Sequence, residues 1–178
     1  ENSANSEFKI QNSKIIYMTY KEDENLTNLY GKGFGEYNIL NYIINNYDFN
    51  SNDVLHKVTG RYIVKNYVKN PRANVLYLRF RKNLSYSDSR YFVASIDFFR
   101  NYLIGGGQYV DEPNGVYFEH LLRDAGLKYI LDGKSYIPLF TPVIDGVSGT
   151  SNTKYNSSLV RGLLSKIEAN IGKIIYER

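Results

Sequence analysis

An apolar stripe at helical spacing, followed closely by a strand-like run, constrains this chain more than any other feature. Residues 31–62 read GKGFGEYNILNYIINNYDFNSNDVLHKVTGRY. Ile39, Leu40, Ile43, Ile44 and Tyr47 recur at the spacing that keeps them on one face of a helix. The spacing predicts a helix over 36–47 with Ile39, Ile43 and Ile44 buried. Ahead of it, Gly31, Gly33 and Gly35 predict a glycine-rich turn. Behind it, residues 53–58 predict a strand entering a core. A turn, helix and strand in that order belong to an α/β layer. In open sheets of that class, ligands gather near helix N-termini and the carboxyl ends of strands.

The rest of the chain repeats the pattern. Residues 14–20, 74–80 and 91–96 predict strands. Asp97 is placed to cap a helix over 98–104, which the run Gly105, Gly106, Gly107 then stops. Residues 116–125 predict a helix ending at Gly126, with Tyr117, Phe118, Leu121 and Leu122 inward. Short β-like runs at 128–131 and 135–139 flank an Asp132-Gly133 turn. Residues 145–151 predict a mobile loop, and a final helix follows Ser157 or Ser158. No internal repeat divides the chain. The expectation is one α/β domain with a mixed, mostly parallel sheet and flanking helices.

Composition narrows the function classes. With 178 residues and 43% hydrophobic content, the chain can bury a real core. It has no cysteine, which excludes a disulfide framework and a thiolate metal site. Its two histidines, His56 and His120, make no imidazole cluster for zinc. No apolar run reaches the roughly 18 residues of a membrane span, so no transmembrane segment is expected. Three N-x-S/T sequons begin at Asn25, Asn83 and Asn156, as an Asn-rich chain produces by chance. The net charge of +4 and 18 tyrosines would suit a basic nucleic-acid-binding domain with stacking platforms. The basic residues are scattered, however, and no nucleic-acid-binding motif is present, so nucleic acid is not the expected partner. Arg72, Arg79, Arg81 and Lys82 form the one loose group, read as a solvated face.

Several motifs carry chemistry. On an extended strand Lys57, Thr59 and Arg61 share one face, where a fork, a point charge and a hydroxyl can meet phosphate oxygens. Their ordinary reading is a solvated strand end. The glycine-rich turn at Gly33 can cradle phosphate with backbone amides, or serve as a tight connection. It lacks P-loop spacing. Glu36 fits a sugar contact or a charge favoured by the helix N-terminus. Glu119, in the run Tyr117, Phe118, Glu119, His120, is the best-placed general base. Asp97, Asp111 and Glu112 compete with it. Asp88 and Arg90 form either an acceptor-facing turn or an internal ion pair.

The order E-N-S at 1–3, G-K-G-x-G-E at 31–36, K-x-T-G-R-Y at 57–62, Y-F-E-H at 117–120 and S-G-T at 148–150 resembles the GT-A class of glycosyltransferases. It looks closest to a bacterial and viral subgroup in which K-x-T-G-R-Y stands in place of the usual Asp-x-Asp. The resemblance implies a nucleotide-diphospho-sugar transferase domain spanning 1–178, building a surface glycan or polysaccharide. It also implies that the usual first nucleotide-binding strand lies ahead of Glu1, so that the chain lacks its N-terminal strand. Donor contacts would fall to Gly33, Glu36, Lys57, Thr59 and Arg61, acceptor contacts to Asp88 and Arg90, and the base to Glu119. The partners would be a nucleotide-sugar donor and a glycan acceptor. The location would be cytoplasmic, with peripheral membrane association open. No certain cofactor is implied. Mn or Mg is the cation the class often uses, but here the paired carboxylates that would hold it are replaced. The competing expectation is a non-catalytic carbohydrate-binding or scaffolding domain of the same fold.

Overall fold

The computed structural model describes residues 18–60, 62–105, 109–147 and 154–156. The described residues of 1–48 and 109–118 form one unit, and those of 49–108 and 119–178 form a second.

In the first unit, helix α1 (Glu24–Tyr30) starts where Asp23 Oδ1 accepts from the amides of Asn25 at 3.0 Å and Leu26 at 3.2 Å. These two bonds satisfy amides that a helix start leaves bare. Gly31 ends α1 and opens helix α2 (Lys32–Asn46). Its φ of +99° is one that a side chain resists. The helix therefore begins earlier than the sequence suggests, and Gly33 and Gly35 lie inside its first turns rather than in a turn before it. Two carboxylates explain why glycine stands there. Glu112 Oε1 accepts from the Gly33 amide at 2.7 Å, and a Cβ on Gly31 would sit 2.2 Å from Glu112 Oε2. A Cβ on Gly35 would sit 2.1 Å from Glu22 Oε1, whose carboxylate accepts from Thr27 Oγ1 at 2.6 Å. Along α2, Ile44 is buried, while Ile39 and Ile43 are half-buried. A short 3-10 turn, Glu112–Asn114, supplies the Glu112 carboxylate.

The second unit is built on a four-stranded sheet. Its strands are β1 (Val54–Val58), β3 (Val75–Leu78), β4 (Tyr91–Ser95) and β5 (Ser135–Pro138), in the order β1-β4-β3-β5. β2 (Tyr62–Val64), β6 (Ile144–Val147) and β7 (Lys154–Asn156) make a second, antiparallel sheet. The main sheet is mixed but mostly antiparallel. β4 runs against both β1 and β3, and only β3 and β5 are parallel. The expectation of a mostly parallel sheet is thus corrected. A parallel neighbour needs a long crossover, and the link from β3 to β4 instead folds back on itself. Arg81 N donates to Tyr86 O at 2.9 Å, and Phe80 bridges Ser87. The crossover that does exist, helix α4 (Phe118–Leu131), returns the chain parallel to β3.

Every residue of β3 and β4 is buried, as the near-continuous apolar runs in their sequences require. On one face Val75, Tyr77, Tyr91 and Val93 pack with Val54, Val64, Val68, Ile137 and Leu139. On the other, Phe92 meets Phe98 and Phe99 at ring separations of 6.5 and 5.6 Å. Those rings come from α3 (Ile96–Phe98) and a π-helical turn over Phe99–Ile104. The predicted cap is corrected: Ser95 stands at the N-cap, and Asp97 lies within the helix, accepting from Asn101 Nδ2 at 2.6 Å.

Two further expectations change. α4 runs through Gly126 to Leu131, so 128–131 is helix rather than strand. Gly126 is the point of closest approach to the sheet: a Cβ there would lie 2.8 Å from Leu78 Cδ2 and 2.9 Å from Phe80 Cζ. Residues 144–147 are strand β6, not loop, paired on both sides. Tyr117 is exposed, whereas Phe118, Leu121 and Leu122 are buried. Residues 18–20 carry no regular element. Arg61, most of the predicted first strand, the S-G-T motif and the final helix lie outside the described residues.

Candidate functional site

Strand β1 ends on Lys57 and Val58, and pairing continues one residue further because Thr59 N donates to Arg90 O at 3.0 Å. Lys57 is buried, 7% exposed, opposite Phe92 in the ladder. Its Nζ lies 5.9 Å from the Phe92 ring centre. A buried ammonium needs acceptors. Lys57 Nζ finds Thr59 Oγ1 at 2.8 Å and, in a short contact, the carbonyl oxygen of Ser89. Lys57 and Thr59 thus lie on one side of the strand, as alternation requires.

Ser89 continues the chain of contacts. Its Oγ donates to Glu119 Oε1 at 2.7 Å. Glu119 stands in the first turn of α4, where the helix dipole favours a negative charge. Its backbone oxygen accepts from Ser87 N at 3.1 Å, so residues 87–89 are laid along the start of the helix. Ser89 therefore joins an ammonium to a carboxylate through its carbonyl and its hydroxyl. These groups come from β1, the link before β4, and α4.

The same link carries an ion pair. Arg90 Nε reaches Asp88 Oδ1 at 2.8 Å and Arg90 Nη2 reaches Oδ2 at 2.6 Å, a fork on both oxygens. Arg79 Nη1 stands further off, 3.5 Å from Oδ2. Burial alone would push the Asp88 carboxyl up. The hydrogen bonds and charge of Arg90, with the charge of Arg79, outweigh it and hold the group below its ordinary value. Beside this pair, the Arg81 guanidinium lies 4.7 Å from the Tyr86 ring centre.

The structure gathers Lys57, Thr59, Asp88, Arg90 and Glu119, five of the residues singled out from sequence, within the second unit. Gly33 and Glu36 belong to the first unit, where the Gly33 amide is taken by Glu112 and Glu36 is half-buried. Sequence reasoning placed Ser89 only within the turn of Asp88 and Arg90 and read Arg79 as part of a solvated face, whereas Arg79 is half-buried against Asp88.

His56 takes a structural position. His56 Nδ1 is 3.2 Å from Tyr91 Oη, which accepts from Val68 N at 2.8 Å. Burial lowers the His56 pKa. Among the described residues, no group of three or more His, Asp or Glu stands together as a metal site. No helix among them is long and apolar enough to cross a membrane. What the cluster can do chemically is hold an anion near Lys57 and accept a proton at Glu119. Comparison with family models, with curated proteins and with solved structures returns no match.

Proposed function

We propose that the chain transfers a glycosyl group from a nucleotide-sugar donor to a hydroxyl of a glycan acceptor. One observation carries the reading: Lys57 and Thr59 are linked through Ser89 to the Glu119 carboxylate. A glycosyl transfer of this kind needs both ends of that arrangement. The leaving diphosphate gains negative charge as its bond to the anomeric carbon breaks, and a fixed cation lowers the energy of that state. The attacking hydroxyl must lose a proton, and a carboxylate takes it. Glu119 Oε1 is held by Ser89, which leaves Oε2 for the acceptor. The acceptor oxygen then forms the new bond to the anomeric carbon, and the electron pair of the broken bond departs on the diphosphate. A divalent cation, where one is used, would arrive with the diphosphate. A cytoplasmic location, with peripheral contact to a membrane carrying the acceptor, belongs to the same proposal, as does a role in building a surface glycan.

A panel of nucleotide-sugars tests it by thermal shift. A ligand that binds only the folded chain raises its melting temperature, by an amount set by its concentration over Kd. The expected result is a shift with one donor class that is lost in Lys57→Met. No shift with any donor would remove the reading. A glycan that binds without any donor effect would favour a carbohydrate-binding module.

A further inference from the structure

Arg79, Arg81 and Arg90 lie on one face of the arm that links β3 to β4. The pairing fixes this. Asp88 N donates to Arg79 O at 2.8 Å, Phe80 bridges Ser87, and Arg81 N donates to Tyr86 O at 2.9 Å. That pairing puts residues 79, 81, 86 and 88 on the same side, and Arg90 joins them through its contact with Asp88. That side carries three guanidiniums against one carboxylate. Asp88 is already gripped on both oxygens by Arg90. Arg79 is left with a contact at 3.5 Å, although its side chain is only 24% exposed. A guanidinium offers five N–H donors in a planar fork. A half-buried one held this loosely keeps donors for a further acceptor.

We infer that the arm is an anion-binding site in which the Arg79 fork, backed by Arg81, takes a phosphoryl group carrying two or more negative charges. Asp88 holds Arg90 on both carboxylate oxygens and leaves Arg79 the looser contact. A lysine would not serve as well, because two parallel N–H groups match two phosphoryl oxygens and a point charge does not. The transferase reading places the donor's diphosphate at Lys57, so the arm is a second anion site, separate from that reading. The anion site itself can be tested without that reading.

Inorganic pyrophosphate, titrated into the full chain by calorimetry against potassium chloride at matched ionic strength, is the probe. The wild type should bind it, and Arg79→Gln should lose roughly ten-fold or more in affinity, the size of lost charge-assisted hydrogen bonds. Arg79→Lys should fall between the two. Arg81→Gln, at an exposed position, should weaken binding with the fold untouched, which keeps the test decisive should Arg79→Gln fail to fold. Lys69→Gln removes the same charge from an exposed site elsewhere and should bind as the wild type does. Absence of wild-type binding above the chloride control would overturn the inference. So would wild-type affinity in Arg79→Gln and Arg81→Gln. A nucleotide-sugar arm separates the two ideas. Pyrophosphate binding through Arg79 with no nucleotide-sugar binding keeps the anion site and sinks the donor. Nucleotide-sugar binding unchanged in Arg79→Gln, with pyrophosphate binding lost, keeps the anion site and shows it to be separate from the donor.

Discussion

Asp88 shows how one side chain sets the behaviour of its surroundings. Its carboxylate is 6% exposed and faces two guanidiniums. Its folded pKa is depressed, so the sign follows directly. The stabilisation is complete above the ordinary value of 3.8 and is lost as pH falls through the lower folded value. The wild type should therefore hold its urea midpoint down to about pH 4 and lose stability below it. Asp88→Asn should cost about 1–3 kcal/mol at pH 7, a range kept modest because both arginines are partly solvated. It should also flatten the acid limb. Equal acid limbs in the two proteins would show that Asp88 is not the group responsible. Much of this neighbourhood was legible from residue types: Lys57, Thr59, Asp88, Arg90 and Glu119 were chosen for their chemistry. The link made by Ser89 was not, because it joins positions 30 and 32 residues away in sequence. No local pattern encodes such a contact.

At the scale of the element, glycine was the misleading letter. Gly126 reads as a helix stop, yet α4 passes through it to Leu131, and the left-handed residue after the helix is Gly133, with φ +75°. A glycine ends a helix when the chain needs that conformation. It also sits inside a helix where another element comes too close for a Cβ, and sequence alone does not separate the two. Gly33 and Gly35 repeat the lesson, since carboxylates fill the space their side chains would take. The close approach gives a prediction. Gly126→Val should push α4 away from Leu78, which is fully buried and has no room to give. Overpacking of this kind costs about 1–3 kcal/mol, and a β-branched residue recovers part of the helix penalty of glycine. The denaturation midpoint should fall. An unchanged or higher midpoint would mean that the helix shifts without cost. Strands β1, β3, β4 and β5 were easier to read because their apolar runs are short and bounded by turn residues. β6 was missed because Asp145 and Gly146 look like loop, and only their pairing with β2 and β7 makes them strand.

For the whole molecule, an α/β layering with a mixed sheet was legible, but the dominant strand direction was not. Apolar periodicity reports which residues are buried, whereas direction depends on how each connection returns. The folded-back arm at 79–90 makes β3 and β4 antiparallel, and the same arm carries Asp88, Ser89 and Arg90 to the start of α4. Topology and candidate site thus have one cause. The account stands or falls on Glu119 as the proton acceptor in glycosyl transfer. Its most direct test is release of nucleoside diphosphate from a nucleotide-sugar, measured with acceptor for the wild type and Glu119→Gln, with melting temperatures taken on the same samples. The account predicts turnover by the wild type and a loss of roughly 10²–10⁴-fold in Glu119→Gln at an unchanged melting temperature, the range for a removed general base. Wild-type turnover in Glu119→Gln, or no turnover by the wild type with any donor and acceptor offered, would contradict it.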